Sequence, residues 1–117
     1  KNLPVTHCIK GSHGWQVYGE TAKALAEVDA PAIDKLVFGM DVTDPATAAV
    51  LPETADEIEL VGLVSNICVV SNAVVLQSKY PEATIIVDAS CTDSFDKSLH
   101  EKVLDVLAGF QVNVINR

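Results

Sequence analysis

A chain of 117 residues with 49% hydrophobic side chains can bury one core of ordinary size, and no repeat or shift of composition divides it. Sixteen acidic against eight basic side chains give a formal charge of -8, a field that repels nucleic acid and anionic lipid, so neither is expected as a partner. No apolar run approaches the roughly 20 residues that span a bilayer, and no basic-then-apolar leader is visible, which together predict a soluble, cytoplasmic chain.

In chain order, "AKALAEV" (22–28) reads as a helix and "AIDKLVF" (32–38) as a strand. The stretch "MDVTDPATAAVLPETADE" (40–57) reads as a connection punctuated by proline and aspartate. A regular alternation follows: an apolar strand over 58–63, a helix over 66–80, the strand "ATIIVDA" (83–89), a helix over about 96–109, and the strand "QVNVIN" (111–116). In the later helix Leu99, Val103, Val106, Leu107 and Phe110 form one apolar stripe, with Asp96, Lys97, Glu101, Lys102 and Asp105 mostly opposite. The strands are short β-branched runs, as expected of a parallel sheet covered by helices on both faces. Right-handed crossovers follow from that arrangement.

Cys8, Cys68 and Cys91 are odd in number and widely spaced, without a Cys-x-x-Cys pair, which argues for free thiols over a disulfide framework or a cysteine zinc site. Cys68 stands out. It follows the strand 58–63 by a few residues, and Ser65 or Asn66 can cap the next helix, leaving the thiol in the first turn. Free backbone N–H groups and the positive end of the helix dipole favour a thiolate there and could bind the oxyanion made by its attack on a carbonyl. The competing reading is a buried, inert cysteine in an apolar helix.

The segment "GLVSNICVVSNA" (62–73) resembles the signature of the isochorismatase-like cysteine hydrolases, in particular their nicotinamidase branch. "LPVTHCIKGSHGW" (3–15) resembles the family's segment around a metal-binding histidine. "IDKLVFGM" (33–40) resembles the strand and turn that present a catalytic lysine, and "IIVDASCTDS" (85–94) agrees as well. The order and separation of the segments also match the family.

The resemblance implies an α/β fold of three layers (α/β/α, Rossmann-like) around a central parallel sheet of strand order 3-2-1-4-5-6. It makes Cys68 the nucleophile on a small amide, releasing ammonia and leaving a thioester for water to hydrolyse. Lys35 would be the cation beside the thiolate. The Leu63–Val64 peptide would be cis, with the N–H groups of Val64 and Cys68 forming the oxyanion hole. His7 would be one ligand of a divalent zinc, iron or manganese ion, although the sequence holds no Asp-x-His segment to supply the others. His13 and His100 carry no such match and read as a loop residue and a residue near a solvated helix face, while Cys8 and Cys91 read as space-filling.

Departures accompany the matches. Pro4 stands where nicotinamidases commonly carry a tryptophan that stacks on the pyridine ring, Val42 stands for a tyrosine, and Asn66 for an aspartate. Phe38 and Trp15 are the aromatic side chains expected to bind substrate in their place. The family's catalytic aspartate lies on a first strand, which would precede Lys1. Residues 1–117 are therefore expected to be the C-terminal part of a single isochorismatase-like hydrolase domain, partnered by the N-terminal segment of the same protein and assembling as a homo-oligomer. Strands one and two would then leave a gap between the Lys35 strand and the Cys68 strand.

The expected function is hydrolysis of a nicotinamide-like small amide. The alternatives are a family hydrolase for another small substrate and a non-catalytic interaction module. A redox or flavodoxin-like domain is a weaker reading, since no glycine- or hydroxyl-rich phosphate loop follows a strand.

Overall fold

The computed structural model describes residues 3–117, which form two compact units: the residues up to Leu36, and Val37–Arg117. The first unit holds a single turn of 3₁₀ helix, His13–Trp15, and helix α1, Gly19–Glu27, none of whose residues is buried. The second holds helix α2 (Pro45–Val50), strand β1 (Glu57–Leu63), a π-helical turn (Ser65–Val69) that runs into helix α3 (Val70–Lys79), strand β2 (Thr84–Asp93), helix α4 (Lys97–Gly109) and strand β3 (Asn113–Ile115). No helix among the described residues is long and apolar enough to cross a membrane.

The three strands are parallel and lie in the order β1-β2-β3. Successive parallel strands laid down in one direction put both crossover helices on the same face. Accordingly α3 and α4 touch each other and both pack on β2. Ala73 and Leu76 of α3, Ile85 and Val87 of β2, and Leu104 and Leu107 of α4 form the centre of that core. In β1 exposure alternates: Ile58 and Leu60 turn inward and Glu57 and Glu59 outward, while the apolar Val61 and Leu63 are 58% and 70% exposed.

Several expectations are corrected. Residues 32–38 form no strand, and Leu36 is 90% exposed in irregular chain. Strand composition does not by itself make a ladder, and Pro31, just before the segment, has no N–H to donate to one. The connection 40–57 contains α2, begun by Asp44, whose carboxylate accepts from the Thr47 N–H at 2.9 Å, with Pro45 in the first turn. The buried stripe of α4 is His100, Val103, Leu104 and Leu107, whereas Leu99 and Val106 are exposed. Cys8 and Cys91 are exposed thiols and fill no core space.

Candidate active site

The end of β1 is shaped by Gly62. Its φ of +108° suits glycine, and the register against β2 shifts between Leu60 and Gly62. The Thr92 hydroxyl donates to the Gly62 carbonyl at 2.7 Å, closing the irregularity. The Leu63–Val64 peptide is cis. The Val64 carbonyl accepts from Ile67 N–H at 3.1 Å and Val69 N–H at 3.2 Å, and the second of these makes the wide π turn in which Cys68 sits, half-buried. Val64 holds the cap position, and no side chain caps the turn there. Ser65 and Asn66, expected as caps, have other partners.

Those partners fix the turn from three sides. The fully buried Ser65 hydroxyl is 3.0 Å from Nδ1 of His100. Asn66 Oδ1 accepts from the Ser94 hydroxyl at 2.6 Å. The Asn72 amide donates to the Cys68 carbonyl at 2.8 Å and to the Phe38 carbonyl at 3.2 Å, and its oxygen accepts from the Met40 N–H at 2.8 Å. Asn72 therefore binds the segment 38–40 to the turn that carries Cys68 and to α3. Between them Gly39 comes so close to α3 that a Cβ there would meet Val75 Cγ2 at 3.2 Å. Among the described residues, no buried side-chain polar atom lacks a hydrogen-bond partner.

Carboxylates mark the carboxyl end of β2. Asp93, the register neighbour of Leu63, is held below the usual carboxylate range first by its bond from Lys97, then by the Ser94 N–H. Asp88 is lowered by donors alone: the Ser90 hydroxyl at 2.7 Å and the Asn116 amide at 2.9 Å outweigh its burial.

The residues up to Leu36 hold the other predicted side chains. An open cavity of about 1100 Å³ is lined by His7, Trp15, Leu25, Ile33 and Lys35, among others, so His7, Trp15 and Lys35 share one cavity. Trp15 Nε1 donates to Asp34 at 3.2 Å, and Lys10 ion-pairs the same carboxylate, lowering its pKa, while its ammonium lies 5.9 Å from the Trp15 ring centre. The exposed His7 ring has Nδ1 at 2.8 Å from the Val5 carbonyl. A carbonyl has no proton to give, so Nδ1 carries it and Nε2 is the nitrogen left for a metal. No group of three histidine, cysteine or carboxylate side chains among the described residues could hold an ion, so His7 supplies one donor and not a site.

The structure thus brings Phe38, Val64 and Cys68 together in one unit, and His7, Trp15 and Lys35 together in the other. His100, Ser94 and Asn72 were not singled out as site residues by the sequence. The spacing of His100 with Val103, Leu104 and Leu107, at i, i+3, i+4 and i+7, is the signal that places its ring in the core.

A parallel α/β unit with a thiol in the turn after its first strand defines the class. Comparison with known proteins agrees: the isochorismatase domain matches residues 1–117, and the chain belongs to the isochorismatase family. A nicotinamidase/pyrazinamidase from Bacillus subtilis superposes with a TM-score of 0.79 at 21% identity, over 94% of this chain and 62% of that one. The nicotinamidase of Staphylococcus aureus superposes with a TM-score of 0.78 at 23% identity, over 96% of this chain and 71% of that one. An isochorismatase-like hydrolase from Alkaliphilus metalliredigens gives 0.66 at 23% identity, over 95% and 57%. The chain thus spans about 62% of the length of the Bacillus subtilis structure. The comparison with curated proteins gives no match.

Proposed function

We propose that the chain carries the nucleophile of a cysteine amidohydrolase acting on a small, nicotinamide-like amide. The observation that carries this reading is the place of Cys68: a free, half-buried thiol in the first helical turn after a parallel strand, in a chain of the isochorismatase family. The dipole and amides of that turn favour negative charge that develops as the sulfur attacks a carbonyl. Attack forms the C–S bond, the Val64 and Cys68 N–H groups receive the oxyanion, and collapse expels the amine, protonated, as ammonia. Water then cleaves the thioester to the acid and restores the thiol.

Lys35 is assigned the cation beside the thiolate, and Phe38 and Trp15 the walls against the substrate ring. The general base is assigned to none of residues 1–117; the resemblance gives it to an aspartate from the N-terminal segment of the same protein. His7 Nε2 is assigned as one donor to a zinc, iron or manganese ion whose other donors lie outside these residues. A homo-oligomer belongs to the same reading. A family hydrolase for a different small substrate is the second reading, favoured by Pro4 and Val42 at positions where nicotinamidases carry aromatic residues.

The test is ammonia release from nicotinamide by the full-length gene product, with Cys68→Ala and Lys35→Ala beside it. Cys68→Ala should lower kcat by at least about a thousandfold, and Lys35→Ala severely. Iodoacetamide at neutral pH should label Cys68 much faster than Cys8 or Cys91. Equal, slow labelling of all three thiols, with no hydrolysis, sinks the reading in favour of a non-catalytic module.

A further inference from the structure

We infer that His100 is a positioning residue for Cys68, acting through Ser65 to fix the turn that carries the nucleophile and its oxyanion donors. The inference rests on the hydrolytic reading of Cys68. Ser65 lies between Val64 and Cys68 in the chain, with its hydroxyl turned away from solvent and wholly buried. Among the described residues, the one side chain bonded to that hydroxyl is the His100 ring, 3.0 Å away through Nδ1 and itself only 9% exposed. A hydroxyl both donates and accepts, so it satisfies Nδ1 in either tautomer.

Packing alone does not explain the choice of residue. Position 100 is the first of the four that α4 turns toward the core, and the others are Val103, Leu104 and Leu107. An aliphatic side chain would fill that place without a polar group to satisfy. A buried hydrogen-bonded pair adds direction, because an imidazole and a hydroxyl hold one geometry where two methyl groups would slide. A second link runs in parallel: Asp96 caps α4 through the Ser98 and Leu99 N–H groups, its own N–H donates to Ser94 Oγ at 3.2 Å, and Ser94 donates to Asn66. The start of α4 therefore grips two consecutive residues of the nucleophile turn, Ser65 and Asn66.

Nothing in this arrangement touches substrate, so its effect passes through geometry. Donors must meet the oxyanion, not the ground-state carbonyl, and a small displacement of the turn weakens only the transition state. Loss of the grip should lower kcat and spare KM.

The experiment compares kcat and KM for nicotinamide, together with iodoacetamide labelling of Cys68 and thermal midpoints, in the full-length enzyme and five variants: His100→Ala, His100→Asn, His100→Gln, Ser65→Ala and the double variant of His100→Ala with Ser65→Ala. Asparagine places its amide near the Nδ1 position, glutamine nearer Nε2. His100→Ala and Ser65→Ala should each lower kcat by about tenfold to a hundredfold with KM within about twofold, and the double variant should be no worse than either. His100→Asn should recover most of the loss, and His100→Gln little. Labelling of Cys68 should slow in the same order. Should His100→Ala fail to fold, the asparagine and glutamine variants decide: asparagine better than glutamine supports the inference, and equality overturns it. A kcat for Ser65→Ala within twofold of the parent, in an enzyme that Cys68→Ala inactivates, overturns the inference and leaves the hydrolytic reading standing. Hydrolysis that survives Cys68→Ala overturns both.

Discussion

The turn around Cys68 and the residues around Lys35 are specified in different ways. At the turn, polar side chains are tied to definite partners: Ser65 to His100, Asn66 to Ser94, Asn72 to the Cys68 carbonyl, Thr92 to the Gly62 carbonyl. The bonds are anchored on a core in which Ala73, Leu104 and Leu107 are fully buried. In the residues up to Leu36, by contrast, α1 buries none of its side chains, Leu25 is 40% exposed, and the Asp34–Lys10–Trp15 cluster lies at the surface. Surface ion pairs are screened and contribute little. The difference shows where geometry is written by packing and where it is written by residue identity alone.

The largest effect that sharpens this contrast is on stability. Leu104→Ala opens a cavity in a fully buried site of the second unit and should cost about 2–5 kcal/mol, whereas Leu25→Ala on the exposed α1 should cost well under about 1 kcal/mol. Urea midpoints of the two variants measure it. Equal losses would show that the first unit has a core of its own and break the comparison.

Next in size is the strand end. Gly62→Ala keeps the space, since nothing lies within 4 Å of a Cβ there, but forces a side chain to φ +108°, at about 1–3 kcal/mol. Gly14→Ala, equally open and without a positive φ, is the control and should cost less. Similar midpoints for the two would mean that the backbone at the end of β1 relaxes freely.

The sequence made the second unit legible because its signals are cooperative. Three β-branched runs alternating with two helices admit few arrangements other than a parallel sheet, and β1, β2, α3 and α4 lie within a few residues of where the pattern puts them. It misread residues 32–38 as a strand, because "AIDKLVF" has strand composition but composition does not by itself supply a ladder. It missed α2, although Asp44-Pro45 followed by Thr47 is a capped helix start that a search for long periodic segments passes over. It misjudged α4 by one position: reading Leu99 into the stripe put His100 outside, and only a hydroxyl 35 residues away in sequence makes a buried histidine tolerable. A single sequence shows residue types, not partners.

A smaller effect depends on pH. The Asp88 carboxyl is lowered by the Ser90 and Asn116 donors, so its folded pKa lies below its unfolded one near 3.9. The stabilisation is complete above the unfolded value and is lost as pH falls through the folded value. Asp88→Asn should therefore be less stable than the parent at neutral pH, with the gap closing below about pH 4. A gap that stays constant from pH 7 to pH 3 would mean that the carboxylate charge contributes nothing.

The smallest effect is expected at Cys91. The side chain is exposed on β2, and the Ser90 hydroxyl lies 3.7 Å from the sulfur. That hydroxyl already bonds to Asp88 at 2.7 Å, so removing the thiol leaves no buried group without a partner. Substitutions at such surface positions usually change stability by no more than about 0.5 kcal/mol. Cys91→Ala should match the parent in urea midpoint and in nicotinamide hydrolysis, while one equivalent of slow-labelling thiol disappears. A loss of activity as large as that of Cys68→Ala would move the reactive thiol from the turn after β1 to the end of β2, and with it the reason for regarding the bonds around Ser65, Asn66 and Asn72 as the frame of an active site.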